Sequence, residues 1–401
     1  MTDDSDAIQA ALDNPDGYDV YFPPGHNFAV EKTLTISKSH IKLVGHSDNF
    51  QSNPKAGRTE TIISKCSPVF HITVHSITFD GVSFINQDGK ARDDAELADC
   101  IINEAITGGE TVLNVRNCNF KGYRNAVTFK GRNVNIRDNL FFNCVHAVRI
   151  EYTYNGAGEE SVPESQKPAN GLRGVRIVNN RFHSFWGHAV YVAAGIPVGM
   201  QIVGNYMDVQ GGLLKADTAM DGTIIAKNSV LFPDVTPIEL GTFETGRDPI
   251  TYKNMIISGN VIKGVVKINH SDHAIKAEKL ISTCITDNVF STFKSTVIVI
   301  TADCTSVNVT GNTFRQHCFD QDNGGPCISF GGKVTLVSAT GNTVWPSDVR
   351  ENDYFIVNTE TSELQYVQVI GNALMLKDTM RGGERSASCN IQIIAGDEVS
   401  E

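Results

Sequence analysis

Three acidic residues near the middle of the chain are placed where acid–base chemistry could be done. The stretches "GLLKAD" at 212–217 and "PIELGT" at 237–242 alternate apolar and polar residues, the two-residue period of a strand. Their polar positions hold Lys215, Asp217 and Glu239, and Asp221 follows closely. Glycoside hydrolysis uses such a set. One carboxylic acid protonates the leaving oxygen and a carboxylate stands opposite it, about 5 Å away for retention of configuration or roughly 6.5–9.5 Å for inversion. On residue type, Glu239 is assigned as general acid and Asp217 as base, with Asp221 assisting or substituting. Carboxylates held close together repel, which favours keeping one of them protonated. Arg149, Lys215 and Lys267 supply donors for acidic or hydroxyl groups, and Glu151 adds a further carboxylate. Tyr191 and Trp186 offer rings against which a sugar's apolar face could lie. The same residues also read as a ladder of solvated ion pairs, Arg149 with Glu151 and Lys215 with Glu239, which would contribute little.

Residues so far apart meet only if the chain stacks them, and a repeat supplies the means. "VTGNTF" at 309–314 has counterparts such as "IRDNLF" at 136–141, "IVNNRF" at 177–182 and "ISGNVI" at 257–262. The asparagine of this pattern recurs at 139, 180, 205, 228, 260, 288, 312, 342 and 372, a spacing of roughly 29 residues, which signals a solenoid. The segments are short, β-branched and aromatic, with Gly and Asn punctuation, so the repeating unit is strands rather than helices. The expected fold is all-β, a single-stranded parallel β-helix. In it the asparagine takes left-handed backbone geometry at a sharp turn, and its amide bonds the asparagine one coil away. The apolar residue two positions later points inward, and Cys118 and Val82 fill the slot in earlier coils. A second strand per coil places Val127, Val148, Val190, Leu214, Ile238 and Val266 inward. Outward columns then run Thr128, Arg149, Tyr191, Lys215, Glu239, Lys267 and Lys130, Glu151, Ala193, Asp217, Gly241, Asn269. Two long segments, 151–171 and 231–252, flank these columns and would wall a groove.

A solenoid needs a cap at its end. In "DDSDAIQAALDN" Asp4 or Ser5 can cap a short helix whose Ile8, Ala11 and Leu12 share a face. "TDDSDAIQAALDN", with "VYFPPG" and "IKLVGH" after it, resembles the opening of the pectate-lyase-like β-helices of phage tailspikes and related polysaccharide depolymerases. With the repeats, the resemblance covers roughly residues 2–375. It implies a right-handed parallel β-helix, a bacterial surface polysaccharide (capsule or O-antigen) as substrate, a homotrimer, and a place on the virion tail or outside the cell. The glycine-rich segment that usually precedes this opening is absent. The expected organisation is 1–30 as capping helix and first strands, 31–380 as β-helix, and 381–401 as a tail or second cap.

Composition narrows the partners. A formal net charge of −11 argues against nucleic acid, which favours a basic face. No run of roughly 18 apolar residues predicts membrane insertion, and the acidic first 20 residues show no secretory signal. Nine cysteines without a C-x-x-C pair read as buried thiols. No cofactor or metal is expected. His270, Asp272 and His273, the alternating residues of 319–326, and His71, Thr73 and His75 on one strand face all read better as polar loops or solvated faces than as metal sites. Two rivals to the hydrolase share the fold. A polysaccharide lyase would use Arg149, Lys215 or Tyr191 as base, and a receptor-binding fibre would hold glycan without cutting it.

Overall fold

The computed structural model describes residues 2–46, 61–87, 98–104, 112–151, 172–208, 210–264, 272–315, 326–345, 354–358, 364–374, 378–381 and 391–392. They form two compact units, Met1–Tyr206 and Met207–Glu401. Both follow one plan, the right-handed parallel β-helix, in which each coil contributes strands to three parallel sheets. In the coil around Asn139, Val134–Arg137 belongs to the first sheet, Leu140–Phe142 to the second and His146–Glu151 to the third. The antiparallel strand Ile391–Gln392 is an addition to the first sheet of the second unit.

The repeated asparagines are the seam of the stack. All nine are at most 2% exposed. In the first unit Asn139 Nδ2 donates to Asn180 Oδ1 (3.0 Å), and Asn180 Nδ2 to Asn205 Oδ1 (3.1 Å). In the second unit the file runs from Asn228 through Asn260, Asn288, Asn312 and Asn342 to Asn372, with matching bonds of 2.8–3.1 Å. Each Oδ1 along the file also accepts the backbone N–H of the asparagine one coil earlier, and each Nδ2 from Asn260 on caps a first-sheet carbonyl. A buried amide is tolerated because its hydrogen-bonding groups are occupied. Cys118 takes the slot before Asn139, its N–H donating to Asn139 Oδ1 at 2.9 Å.

The expected backbone role of these asparagines is corrected. The left-handed residue is the one before the asparagine: Asp138 (φ 58°), Asn179 (56°), Lys227 (56°) and Asp287 (57°) in some coils, glycine at 204, 259, 311, 341 and 371 in others. Gly-Asn therefore recurs for two separate reasons. Glycine takes the positive φ without a Cβ clash, and asparagine supplies the ladder.

Two positions past the asparagines from Asn139 to Asn342 the apolar side chain fills the coil, as expected. Phe84, Phe120, Phe141 and Phe182 stack at ring separations of 4.9, 4.9 and 5.5 Å in the first unit. Val127, Val148, Val190, Leu214 and Ile238 are fully buried beneath the third sheet. The helix Ser5–Asp13 buries Ile8 and Leu12, but Ala11 faces outward. Asp4 stands at its N-cap, yet its carboxylate accepts the Ala29 N–H (2.9 Å), and Asp3 accepts the Ser5 N–H (3.0 Å). The seven described cysteines are free thiols, and burial pushes those of Cys118, Cys144 and Cys304 up to about 12.

Candidate active site

The outward face of the third sheet carries most of the residues singled out. In the first unit Arg149 registers with Thr128 on one side and Tyr191 on the other. Its guanidinium pairs with Glu151 and lies 5.3 Å from the Tyr191 ring centroid. The other ring against Tyr191 is His146, at 4.8 Å, so protein groups pack on Tyr191 where a sugar was expected. A bulge after Ile150 shifts Glu151 into register with Ala194 rather than Ala193. Trp186 is half-buried in the turn before His188–Ala194, its N–H donating to the Cys144 carbonyl (3.3 Å).

In the second unit the strand Gly212–Ala216 registers with Ile238–Leu240, Lys215 beside Glu239. The Lys215 ammonium lies 3.0 Å from a Glu239 oxygen and 3.9 Å from an Asp217 oxygen. One cation thus stands between two carboxylates from adjacent coils, and its two contacts bound their nearest oxygens to within about 7 Å of each other, an upper limit that admits both the retaining and the inverting ranges. Both side chains are 21% exposed, although the Asp217 oxygen facing Lys215, Oδ1, is itself buried, so a ligand would meet Asp217 through Oδ2. Tyr252 supports this floor from inside: its hydroxyl donates to the Ala216 carbonyl (2.7 Å), just before Asp217. Burial, then the charge of Glu278 and of Asp217, pushes its phenol well above the usual range.

Asp221 does not share this face. It lies on the first sheet, in Met220–Asp221, registers with Lys253 and accepts from Asn254 Nδ2 at 2.7 Å. Lys267, with the strand expected around it, lies outside the described residues, as do 152–171, His270 and 319–325. The register place beside Glu239 belongs to Lys276, in Ile275–Ala277. The sequence signal for this strand was present: "HAIKAE" at 273–278 repeats "HAVRIE" at 146–151. The two histidines do the same work. His146 Nδ1 contacts the His188 carbonyl (2.8 Å) and His273 Nδ1 the Thr296 carbonyl (2.6 Å). A carbonyl only accepts, so Nδ1 carries the proton in both. Burial pulls the His273 pKa below its ordinary value. In the first unit the strand Phe70–Ile72 ends before His75. His71 faces Glu104 (3.4 Å), whereas His75 meets Ser39 and His40.

Glu278 was missed by sequence reasoning. Its carboxylate, on a residue 5% exposed, accepts the N–H of Phe243 (2.7 Å), Arg247 Nη2 (2.6 Å) and the N–H of Ile250. Three donors pin the loop 241–250 across the sheet. Gly241 makes room: it sits at φ 139°, and a Cβ there would come within 2.5 Å of Glu278 Cγ. Gly241→Ala is therefore expected to displace the carboxylate and cost about 2–4 kcal/mol, the scale of lost charged hydrogen bonds plus backbone strain. Denaturant titration measures the loss, and trypsin should cut faster after Arg247. An unchanged midpoint with unchanged cleavage at Arg247 would mean the loop is held by something else.

No protein-family model matches the chain, and no curated protein matches it either. Among solved structures it is similar to DFA-IIIase from Arthrobacter chlorophenolicus A6 in complex with GF2, at 13% identity over 99% of this chain and 93% of that one, with a TM-score of 0.51. It is also similar to the catalytic unit of a thermostable GH87 alpha-1,3-glucanase from Streptomyces thermodiastaticus, at 12% identity over 95% and 67%, TM-score 0.50. The Dettilon tailspike protein matches at 12% identity over 95% and 67%, TM-score 0.44. At these identities the likeness establishes the fold, a parallel β-helix, and nothing of the chemistry.

Proposed function

We propose that the chain binds a polysaccharide along the third sheet of the second unit and hydrolyses it, with Glu239 as general acid and Asp217 as base. The observation that carries this reading is the Lys215 ammonium holding Asp217 and Glu239, from adjacent coils, on one solvent-facing surface. Lys215 would offset the repulsion between the two carboxylates in the free protein and turn to a sugar hydroxyl once substrate fills the face. Asp221, on another sheet, has no part in the step. The proteins of similar fold include enzymes whose names specify a glucanase and a DFA-IIIase, which supports a carbohydrate substrate. The tailspike-like opening residues support a bacterial surface polysaccharide, a homotrimer and a virion-tail setting.

A non-catalytic glycan-binding fibre is the second reading, and the ion pairs favour it, since Glu239 already commits an oxygen to Lys215. The test is a screen of capsular and O-antigen polysaccharides, read by polymer length and reducing ends. Shortening with new reducing ends and no absorbance from unsaturated sugar supports the hydrolase. That absorbance would assign a lyase instead. Binding without shortening would assign the fibre.

A further inference from the structure

Next to the Asp217–Glu239 pair lies a cleft of about 270 Å³, lined by Phe243, Arg247 and Pro249 of the pinned loop and by Lys276, Glu278 and Thr301. Its ammonium, Lys276, differs from the other cations of this face. Lys215 pairs with Glu239, Arg247 with Glu278, and in the first unit Arg149 pairs with Glu151 and Lys130 with Glu104. Among the described residues no carboxylate lies within 4.0 Å of Lys276 Nζ. It lies instead 4.1 Å from the centroid of the Phe243 ring, a cation–π contact. That is a weak substitute for a counter-ion.

Phe243 is held there against its own backbone preference. Its φ is 56°, a left-handed region that bulky residues avoid. The Glu278 oxygen that takes its N–H at 2.7 Å keeps it so, and the same carboxylate orients Arg247 at 2.6 Å. Glu278 is fully engaged by its three donors and serves as a positioning residue. The cleft therefore presents an aromatic ring, an uncompensated ammonium and the edge of a fixed guanidinium, in a volume suited to one pyranose ring. Lys276 is also the register neighbour of Glu239, so an occupant of this cleft sits one coil from the proposed acid.

We propose that this cleft is a subsite for an anionic sugar, a pyranose whose carboxylate lies on Lys276 and Arg247 and whose apolar face lies on Phe243. The proposal rests on the reading of this face as glycan-binding and adds the class of sugar it selects. Glu244, which also lines the cleft, is 72% exposed and 3.8 Å from Arg247 Nε, and its carboxylate opposes such a ligand.

The test is titration of isotopically labelled protein with D-glucuronate and with D-glucose, followed by amide chemical shifts. Glucuronate is expected to bind in the millimolar range, about tenfold or more tighter than glucose, and to weaken with added salt. Lys276→Met should remove most of the preference for glucuronate, because the Arg247 guanidinium that remains is already paired with Glu278. Glu244→Gln, on an exposed side chain, should tighten glucuronate alone. Equal affinity for the two sugars, no glucuronate binding, or a Lys276→Met protein that keeps the preference would each overturn the proposal. Binding is read without turnover. A chain that prefers glucuronate yet cuts no polymer upholds the subsite and removes the hydrolase. A chain that cuts a neutral polymer and ignores glucuronate does the reverse.

Discussion

Replacing Glu239 by glutamine should slow glycan cleavage by about a thousandfold, in the middle of the range that a positioned general acid supplies. Glutamine keeps the size of the side chain and its place in Ile238–Leu240, but it cannot deliver a proton to a leaving oxygen. The fold should not notice. Glu239 is a surface residue whose one salt bridge, to Lys215, is of the kind worth about 0–1 kcal/mol, and Lys215 keeps Asp217 as a neighbour. The measurement is the initial rate of reducing-end formation on whichever polymer the wild-type chain shortens, with circular dichroism confirming the fold. Asp217→Asn should lower the rate similarly, because the base must accept a proton or fix a water. A Glu239→Gln rate within threefold of wild type would reassign the acid.

The largest structural effect is expected from the asparagine file. Asn312 accepts Asn288 N–H and Nδ2, both at 2.9 Å, and donates Nδ2 to the Ile285 carbonyl (2.8 Å) and to Asn342 Oδ1 (3.1 Å). Leucine is close in size but makes none of these bonds. Two Asn288 donors and the Ile285 carbonyl would lose partners where no water reaches, at about 1–3 kcal/mol for each group that fails to find another. With partial relaxation, Asn312→Leu should cost about 3–5 kcal/mol by denaturant titration. A loss under about 1 kcal/mol would show that the ladder adds little beyond the apolar core.

These same bonds explain why the architecture was legible in the sequence. Along the file a buried amide must bond the identical amide in the next coil, so the asparagine repeats from Asn139 on, while Cys118 fills the slot where the file begins; an inward apolar residue two positions on repeats with it. The residue before it only has to tolerate positive φ, which Asp138, Asn179, Lys227, Asp287 and five glycines all do. That variability hid its role. The third sheet was legible as far as Glu239, where the strands follow one another closely. Past the 241–250 loop the alternating "VVKIN" was expected as the strand and the segment holding "HAIKAE" as a polar loop, although both stretches alternate and alternation alone favours neither. What separates them is His273, whose ring bonds a carbonyl of the next coil as His146 does.

The site was legible in part, and for a related reason. Lys215, Asp217 and Glu239 meet because register alone brings them together. Asp221 is only four residues beyond Asp217, but the chain turns a corner between them, and a corner cannot be seen in the spacing of two aspartates. Glu278 and Arg247 are joined through a loop whose backbone N–H groups aim at one carboxylate. No side-chain pattern announces where a main-chain donor points, and the glycine that admits the contact looks like any other glycine.

The most direct test of the account is a double-mutant cycle on cleavage with Asp217→Asn and Glu239→Gln. Two groups acting as one catalytic unit are strongly non-additive. The double variant should therefore cleave about as slowly as the slower single variant, with polymer binding retained in all three. Rate losses that simply multiply, or single variants that cleave like the wild type, would contradict the claim that stacked coils bring these two carboxylates together to act on one glycosidic bond.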